Sequence, residues 1–232
     1  MEIDTIYNMD CFEGMKQMES GSVSLIIADP PYELQQCSGA GAFGRNNRDY
    51  YQGIDHLQSG ISDEILEECL RVCKHPNMYI FCSKDQIPQL LTFALNHSLK
   101  YDLLTWHKTN PVPTCNNKYL SDTEYIIFMR NGANLYGSYS TKRKYFITPT
   151  NTEDKKVWKH PTPKPVSIIR TLIENSTKED DVVLDPFMGS GTTAIAAMQG
   201  NRHYIGFELN KEYYDTSCKR IKLEQSQLAL FQ

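Results

Sequence analysis

Three carboxylates in this chain each close an apolar run. Val23 to Ala28 stops at Asp29-Pro30-Pro31-Tyr32, Val182-Val183-Leu184 stops at Asp185, and Tyr204 to Phe207 stops at Glu208-Leu209. Short β-branched apolar runs predict buried strands, and in open α/β sheets ligands bind just beyond the carboxyl ends of such strands. Pro30 and Pro31 remove two backbone donors and fix φ, so the carbonyls of Asp29 and Pro30 are held with no helix to use them. An ionised Asp is acceptor-only. The group that suits this strand end is a donor such as an amino group, with the Tyr32 ring available to stack on a flat partner. A strand end followed by a tight Pro-Pro turn is the structural alternative for these four residues taken alone.

The second run continues as Asp185-Pro186-Phe187-Met188-Gly189-Ser190-Gly191-Thr192-Thr193, which reads as strand, glycine turn and helix start. Glycines there let the backbone approach a ligand, and the free amides of a helix N-terminus favour oxygen-rich groups. Two phosphate-binding readings fit poorly. Thr192 follows Gly191 where a P-loop needs Lys, and Ala194 occupies the third position of a dinucleotide fingerprint. Glu208 lies 19 residues after Gly189, about the separation at which an acid grips ribose hydroxyls. The ligand expected at this turn carries a ribose.

The elements that must hold these residues alternate along the chain. Strands are expected at 3–9, 23–29, 78–82, 101–106, 124–129, 181–184 and 204–207. Helices are expected at 12–18, 62–73, 85–97, 166–175, 192–198 and 211–225. Alternation of this kind predicts an α/β fold, a doubly wound and mostly parallel sheet in a single domain over 1–232. At 232 residues such a domain buries roughly 70% of its unfolded surface without staples. Residues 33–60 are glycine-rich and poor in aliphatics, so a long mobile loop is expected there.

Seven cysteines without a close C-x-x-C pair argue for reduced thiols rather than a disulfide framework or a metal site, and hence for a cytoplasmic protein. No apolar run is long enough to predict a membrane span. The net charge of −4 excludes a generally basic nucleic-acid coat. Its distribution is uneven, because residues 130–165 hold eight basic and two acidic side chains, a local +6 that leaves −10 elsewhere. With Tyr136, Tyr139, Tyr145, Phe146 and Trp158 interleaved, a nucleic-acid surface competes there with an ordinary solvated face.

Together, Asp29-Pro30-Pro31-Tyr32 and the run from Asp185 to Thr193 resemble the S-adenosylmethionine-dependent DNA amino-methyltransferases. With the catalytic motif preceding the cofactor motif, the order resembles the β-type, circularly permuted arrangement. The resemblance implies a seven-stranded methyltransferase sheet with one antiparallel strand near an edge. It also implies S-adenosylmethionine as cofactor, no metal, and double-stranded DNA as substrate, in a bacterial or phage-encoded protein. Asp29, Pro30, Pro31 and Tyr32 become the catalytic residues. Cofactor contacts are implied for Asp10, Cys11, Asp29, His160, Lys164, Pro165, Asp185, Phe187, Gly189, Ser190, Gly191, Thr192, Thr193, Glu208 and Leu209. The segment His160 to Pro165 resembles the one that closes over the methionine end. Trp106-His107-Lys108 and Thr123-Glu124-Tyr125 resemble the strands flanking the base pocket.

Asp-Pro-Pro-Tyr is the usual adenine form, so transfer to the N6 amino group of a flipped adenine is the expected reaction. Cytosine-N4 transfer, an RNA amino group, or a non-catalytic nucleic-acid-binding subunit are the alternatives. Candidate DNA contacts are Arg45, Arg48, Lys108, Lys142, Arg143, Lys144, Lys155 and Lys156, with residues 131–158 as the target-recognition region. So small a recognition region suggests a homodimer. In the tail 226–232, Gln227, Leu228, Leu230 and Phe231 resemble a peptide that docks on the replication sliding clamp, with a terminal helical turn packed on the core as the alternative.

Overall fold

The computed structural model describes residues 1–31, 60–111, 113, 117, 119–158 and 162–228. The expectations for Tyr32, residues 33–59 of the 33–60 loop with Arg45 and Arg48, His160, Leu230 and Phe231 lie outside the described residues.

The first half of the chain runs β1 (Thr5–Tyr7), α1 (Cys11–Lys16), β2 (Leu25–Ala28), α2 (Asp63–Val72), β3 (Asn77–Cys82), α3 (Ile87–Asn96), β4 (Lys100–Lys108) and β5 (Thr123–Arg130). The second runs β6 (Tyr145–Thr148), α4 (Thr152–Trp158), α5 (Val166–Ser176), β7 (Val182–Asp185), α6 (Thr192–Gln199), β8 (His203–Phe207) and α7 (Lys211–Leu228). Among the described residues the strands form one eight-stranded sheet in the order β1-β8-β7-β2-β3-β5-β4-β6. Only β5 runs against its neighbours, pairing antiparallel with β3 and β4.

The central strands are apolar throughout because both faces are covered. Ile26, Ala28, Met78, Ile80 and Cys82 pack into the core beneath α1, α2 and α3. The residues between them, Leu25, Ile27, Tyr79 and Phe81, pack on the opposite side against α5 and α6. This is the period of two expected for strands buried on both faces. From β2 the chain crosses to β3 on one side, and from β7 to β8 on the other. The adjacent carboxyl ends of β2 and β7 are therefore the topological switch point, where such sheets open a ligand crevice.

Two elements are absent from the sequence expectation, and the first of them, β6, makes the sheet eight-stranded rather than seven-stranded. β6 is four residues long, pairs parallel with β4 at the sheet edge, and alternates exposed with half-buried positions. α4 buries none of its residues, so it carries no apolar stripe for a periodicity argument to find. Both lie in the basic segment, which is thus partly built onto the sheet.

α1 lies tight against the sheet because position 14 has no side chain. A Cβ on Gly14 would stand 2.3 Å from a ring carbon of Phe207, which is fully buried. Gly14→Ala is expected to destabilise the protein by about 1–3 kcal/mol, since an immovable ring leaves the new methyl nowhere to go. Urea unfolding of the two proteins measures this as a lowered midpoint at unchanged slope.

Candidate active site

Asp29 follows β2 directly, and its carboxylate Oδ2 lies 2.7 Å from Lys164 Nζ. That ammonium also lies 3.2 Å from Glu124 Oε2, and Lys108 Nζ lies 2.7 Å from Glu124 Oε1. Four alternating charges thus run from β2 through the segment before α5 to β5 and β4. Lys164 is only 6% exposed and lies 5.3 Å over the Phe81 ring. Burial works against its ammonium, but the charges and hydrogen bonds of Asp29 and Glu124 prevail and raise its pKa. Burial likewise opposes the Glu124 carboxylate, and the two lysines prevail to hold it below its ordinary range. Lys164 and Glu124 are therefore both charged at neutral pH. Lys164, expected from sequence among the cofactor contacts, is a partner of Asp29. Lys108 belongs to the same half-buried row, which sets it apart from the exposed lysines.

At the neighbouring strand end the Asp185 carboxylate serves its own turn. Oδ1 accepts from Phe187 N at 2.9 Å and Oδ2 from the Thr193 hydroxyl. Burial raises its pKa to about 7 against those hydrogen bonds. Gly189 and Gly191 both have positive φ, 52° and 82°, conformations that cost a side-chain-bearing residue energy. A Cβ on Gly191 would also crowd Ser217 of α7 at 3.1 Å.

Glu208 closes the turn from β8. Its Oε2 accepts from Gly189 N at 2.8 Å and its Oε1 from Asn210 N at 2.7 Å. Burial raises this carboxyl's pKa to about 6. Each carboxylate oxygen has a second lone pair, so both can accept again from a ligand diol.

Sequence reasoning missed what fixes the turn from the α7 side. Arg220, 6% exposed, donates to the Ser190 carbonyl at 3.1 Å, to the Ser190 hydroxyl at 3.3 Å and to the Thr192 hydroxyl at 3.1 Å. Its other nitrogen pairs with Asp154 of α4. The hydroxyls of Ser190, Thr192 and Thr193 therefore shape the turn. No pattern flags an arginine one helix beyond the site. A buried cation in a polar helix is visible only once the helix is docked.

Asp10 and Cys11 open α1 at the carboxyl end of β1. Asp10 is the N-cap, its Oδ1 accepting from Phe12 N at 3.0 Å and Glu13 N at 3.2 Å. Cys11 is buried in the core, and burial pushes its thiol to about 12. Asn8 Nδ2 donates to the carbonyls of Glu208 and Leu209 at 2.8 and 3.1 Å, tying this corner to β8. Leu209 is exposed and Phe187 half-buried beside the turn. Pro165 caps α5 one residue after Lys164.

Of the candidate DNA contacts, Lys142, Arg143, Lys144, Lys155 and Lys156 are exposed, as that role requires. Lys144 pairs with Asp102, and Arg143 donates to the Tyr145 hydroxyl at 3.1 Å. The +6 segment is not a single surface, because Lys164 is buried and Asp154 is engaged by Arg220.

The arrangement brings an acceptor-rich strand end, a ribose-type carboxylate and a glycine turn to one edge of a doubly wound sheet. A family profile described as DNA methylase, covering N6 and N4 enzymes, matches residues 23–219. The chain belongs to this DNA methylase family. Among curated relatives, the Type II methyltransferase M2.DpnII of Streptococcus pneumoniae is 30% identical over 242 residues, spanning 94% of this chain and 90% of the relative. Type II methyltransferase M.HinfI of Haemophilus influenzae is 29% identical over 251 residues, spanning 95% and 68%. The crystal structure of the M1.HpyAVI–SAM complex superposes with a TM-score of 0.69 at 28% identity, covering 93% of this chain and 98% of that one. The cytosine-N4-specific PvuII DNA methyltransferase shares the fold, with a TM-score of 0.71 at 18% identity and coverage of 93% and 85%. In this DNA methylase the matched span contains both strand-end motifs and stops one residue short of Arg220.

Proposed function

We propose that this DNA methylase transfers a methyl group to the N6 amino group of adenine, with Asp29 and the Pro30 carbonyl accepting the hydrogens of that amino group. Transfer from S-adenosylmethionine to a DNA amino group is the activity of the family to which the chain belongs. The observation that carries the finer reading is Asp29-Pro30-Pro31 at the switch point, one strand from Asp185 and the glycine turn. The adenine assignment rests on the Asp-Pro-Pro-Tyr form of the motif. Cytosine-N4 transfer is the second reading, supported by the family profile, which covers N4 as well as N6 enzymes.

The residues present fit S-adenosylmethionine. Glu208 is a fixed double acceptor suited to a ribose diol, and the turn offers no lysine for a phosphate. Asp10, Phe187 and Leu209 flank the same edge and would complete the adenosine side. When bound, the cofactor supplies an electrophilic methyl on a cationic sulfur.

The chain's own part is to prepare the nucleophile. An adenine amino group is a poor nucleophile because its lone pair is delocalised into the ring. Accepting its two hydrogens at Asp29 and the Pro30 carbonyl favours a pyramidal nitrogen with a localised lone pair. Positive charge grows on that nitrogen during transfer, so these acceptors bind the transition state better than the ground state. A base within a duplex cannot reach this edge and must be flipped out at a cost of a few kcal/mol. Stacking on Tyr32 would offset about 1–3 kcal/mol of that.

Cofactor affinity should depend on pH through Glu208. Its carboxyl is raised to about 6, so acidification through that value adds a proton and removes an acceptor from the ribose. Affinity at pH 5 is expected to be about tenfold weaker than at pH 7.5, and Glu208→Gln to lack this step. Calorimetric titrations across the range measure both.

The whole reading is tested by expressing the chain in a methylation-free bacterial host and sequencing its genomic DNA with a modification-sensitive method. N6-methyladenine in a fixed sequence context is the expected result. N4-methylcytosine would move the assignment to the second reading, and unmodified DNA would overturn both. We propose separately that the C-terminal peptide docks on a sliding clamp. Equal clamp retention by full-length protein and a chain ending at Ser226 would refute it.

A further inference from the structure

The row of charges behind Asp29 extends further than pairing with Lys164 requires. Asp29 and Lys164 alone sum to zero, and an ammonium 2.7 Å from the receiving carboxylate opposes a second positive charge nearby. Glu124 changes that balance. Its Oε2 meets the same ammonium at 3.2 Å, and its Oε1 is held by Lys108, one group further along. Glu124 itself is fixed in β5, where it pairs in register with Trp106 of β4. Stability alone gives little reason for such a row, because buried ion pairs are often replaceable by apolar residues at no loss.

During transfer the amino nitrogen's lone pair forms the new N–C bond, the S–C pair stays on sulfur, and one proton passes from the cationic nitrogen to Asp29, which already accepts that hydrogen, and on to water. Positive charge therefore moves from the sulfur towards Asp29. Resting on the reading that Asp29 receives the target amino group, we infer that Glu124 is a positioning residue for methyl transfer. It anchors Lys164 and, one group nearer to Asp29 along the row than Lys108, offsets part of the ammonium's charge as the nitrogen becomes cationic. In so enclosed a place one charge acts strongly, because little water screens it.

The test compares wild type, Glu124→Gln and Glu124→Asp in single-turnover transfer to unmethylated genomic DNA. A binding assay runs beside it, with two cofactor analogues. Sinefungin carries an ammonium where the transferred methyl sits, and S-adenosylhomocysteine carries nothing there. Glu124→Gln keeps the shape and a hydrogen-bond acceptor but loses the charge. It is expected to transfer about 10- to 100-fold more slowly at unchanged S-adenosylhomocysteine affinity, both measured well below a Tm that the loss of a buried charge partner lowers. Its preference for sinefungin over S-adenosylhomocysteine should fall about fivefold. Glu124→Asp, which keeps the charge, should recover both.

An unchanged rate and preference in Glu124→Gln overturn the inference. So does slow transfer with an unchanged preference and no recovery in Glu124→Asp, which would assign the residue to the fold. If Glu124→Gln does not fold, a well-folded Glu124→Asp must transfer within about tenfold of wild type, and a slower one overturns the inference. Wild-type protein that binds cofactor but methylates no DNA refutes the functional reading instead, and the sinefungin comparison still reports on Glu124.

Discussion

Asp29→Asn is expected to slow methyl transfer by about a thousandfold while leaving cofactor affinity within about threefold of wild type. The amide matches the carboxylate in size and keeps one oxygen for Lys164. What it loses is the negative charge that favours a cationic nitrogen, and half of its acceptor capacity. Cofactor binding should survive because the glycine turn is held by other groups: Glu208 on Gly189, Asp185 on Phe187 and Thr193, and Arg220 on Ser190 and Thr192. Single-turnover transfer of a labelled methyl and calorimetric titration of the cofactor separate the two effects. Transfer within tenfold of wild type would remove Asp29 from the chemistry. Equal loss of rate and cofactor affinity would make it a cofactor contact instead.

Lys164→Met should cost about 3–5 kcal/mol of stability at neutral pH, because it leaves two poorly hydrated carboxylates, Asp29 and Glu124, facing the space the ammonium held. The substitution preserves much of the buried stem, so the loss is electrostatic rather than a cavity effect. Its pH dependence has a definite sign. Lys164 holds Glu124 below its ordinary range, so this contribution is present above the unfolded carboxyl value of about 4.3 and disappears as acid protonates the group in the fold. The stability gap between variant and wild type should thus be widest near pH 7 and narrow below about pH 4. Chemical denaturation at a series of pH values measures it. A gap under about 1 kcal/mol at neutral pH would mean that water, not Lys164, satisfies these carboxylates.

Much of this site is legible without coordinates, for a physical reason. Asp29, Asp185 and Glu208 each end an apolar run, so local pattern alone places them at strand ends, and the α/β alternation gathers those ends on one edge. The sequence also marks the glycine turn, because the positive φ values at 189 and 191 suit glycine. The partners that tune these groups are less visible. Lys164, Glu124 and Lys108 come from three separate segments, and although the resemblance puts all three segments around the site, nothing in sequence order pairs their charges in a row. Arg220 and Asp154 look like ordinary members of charged helices until α4 and α7 are packed. β6 and α4 were missed because they bury too little to leave a periodic trace. β6 is the eighth strand.

β1 stands at one edge of the sheet, and its sheet neighbour among the described residues is β8. For a chain emerging from the ribosome this imposes a delay. β1 must wait for β8, its sheet neighbour among the described residues, about 200 positions later in the chain. Asn8 and Glu208 meet only when that pairing closes, through a loop spanning most of the chain, and contacts of such long sequence separation form late. A chain cut before β8 therefore lacks one wall beside the glycine turn.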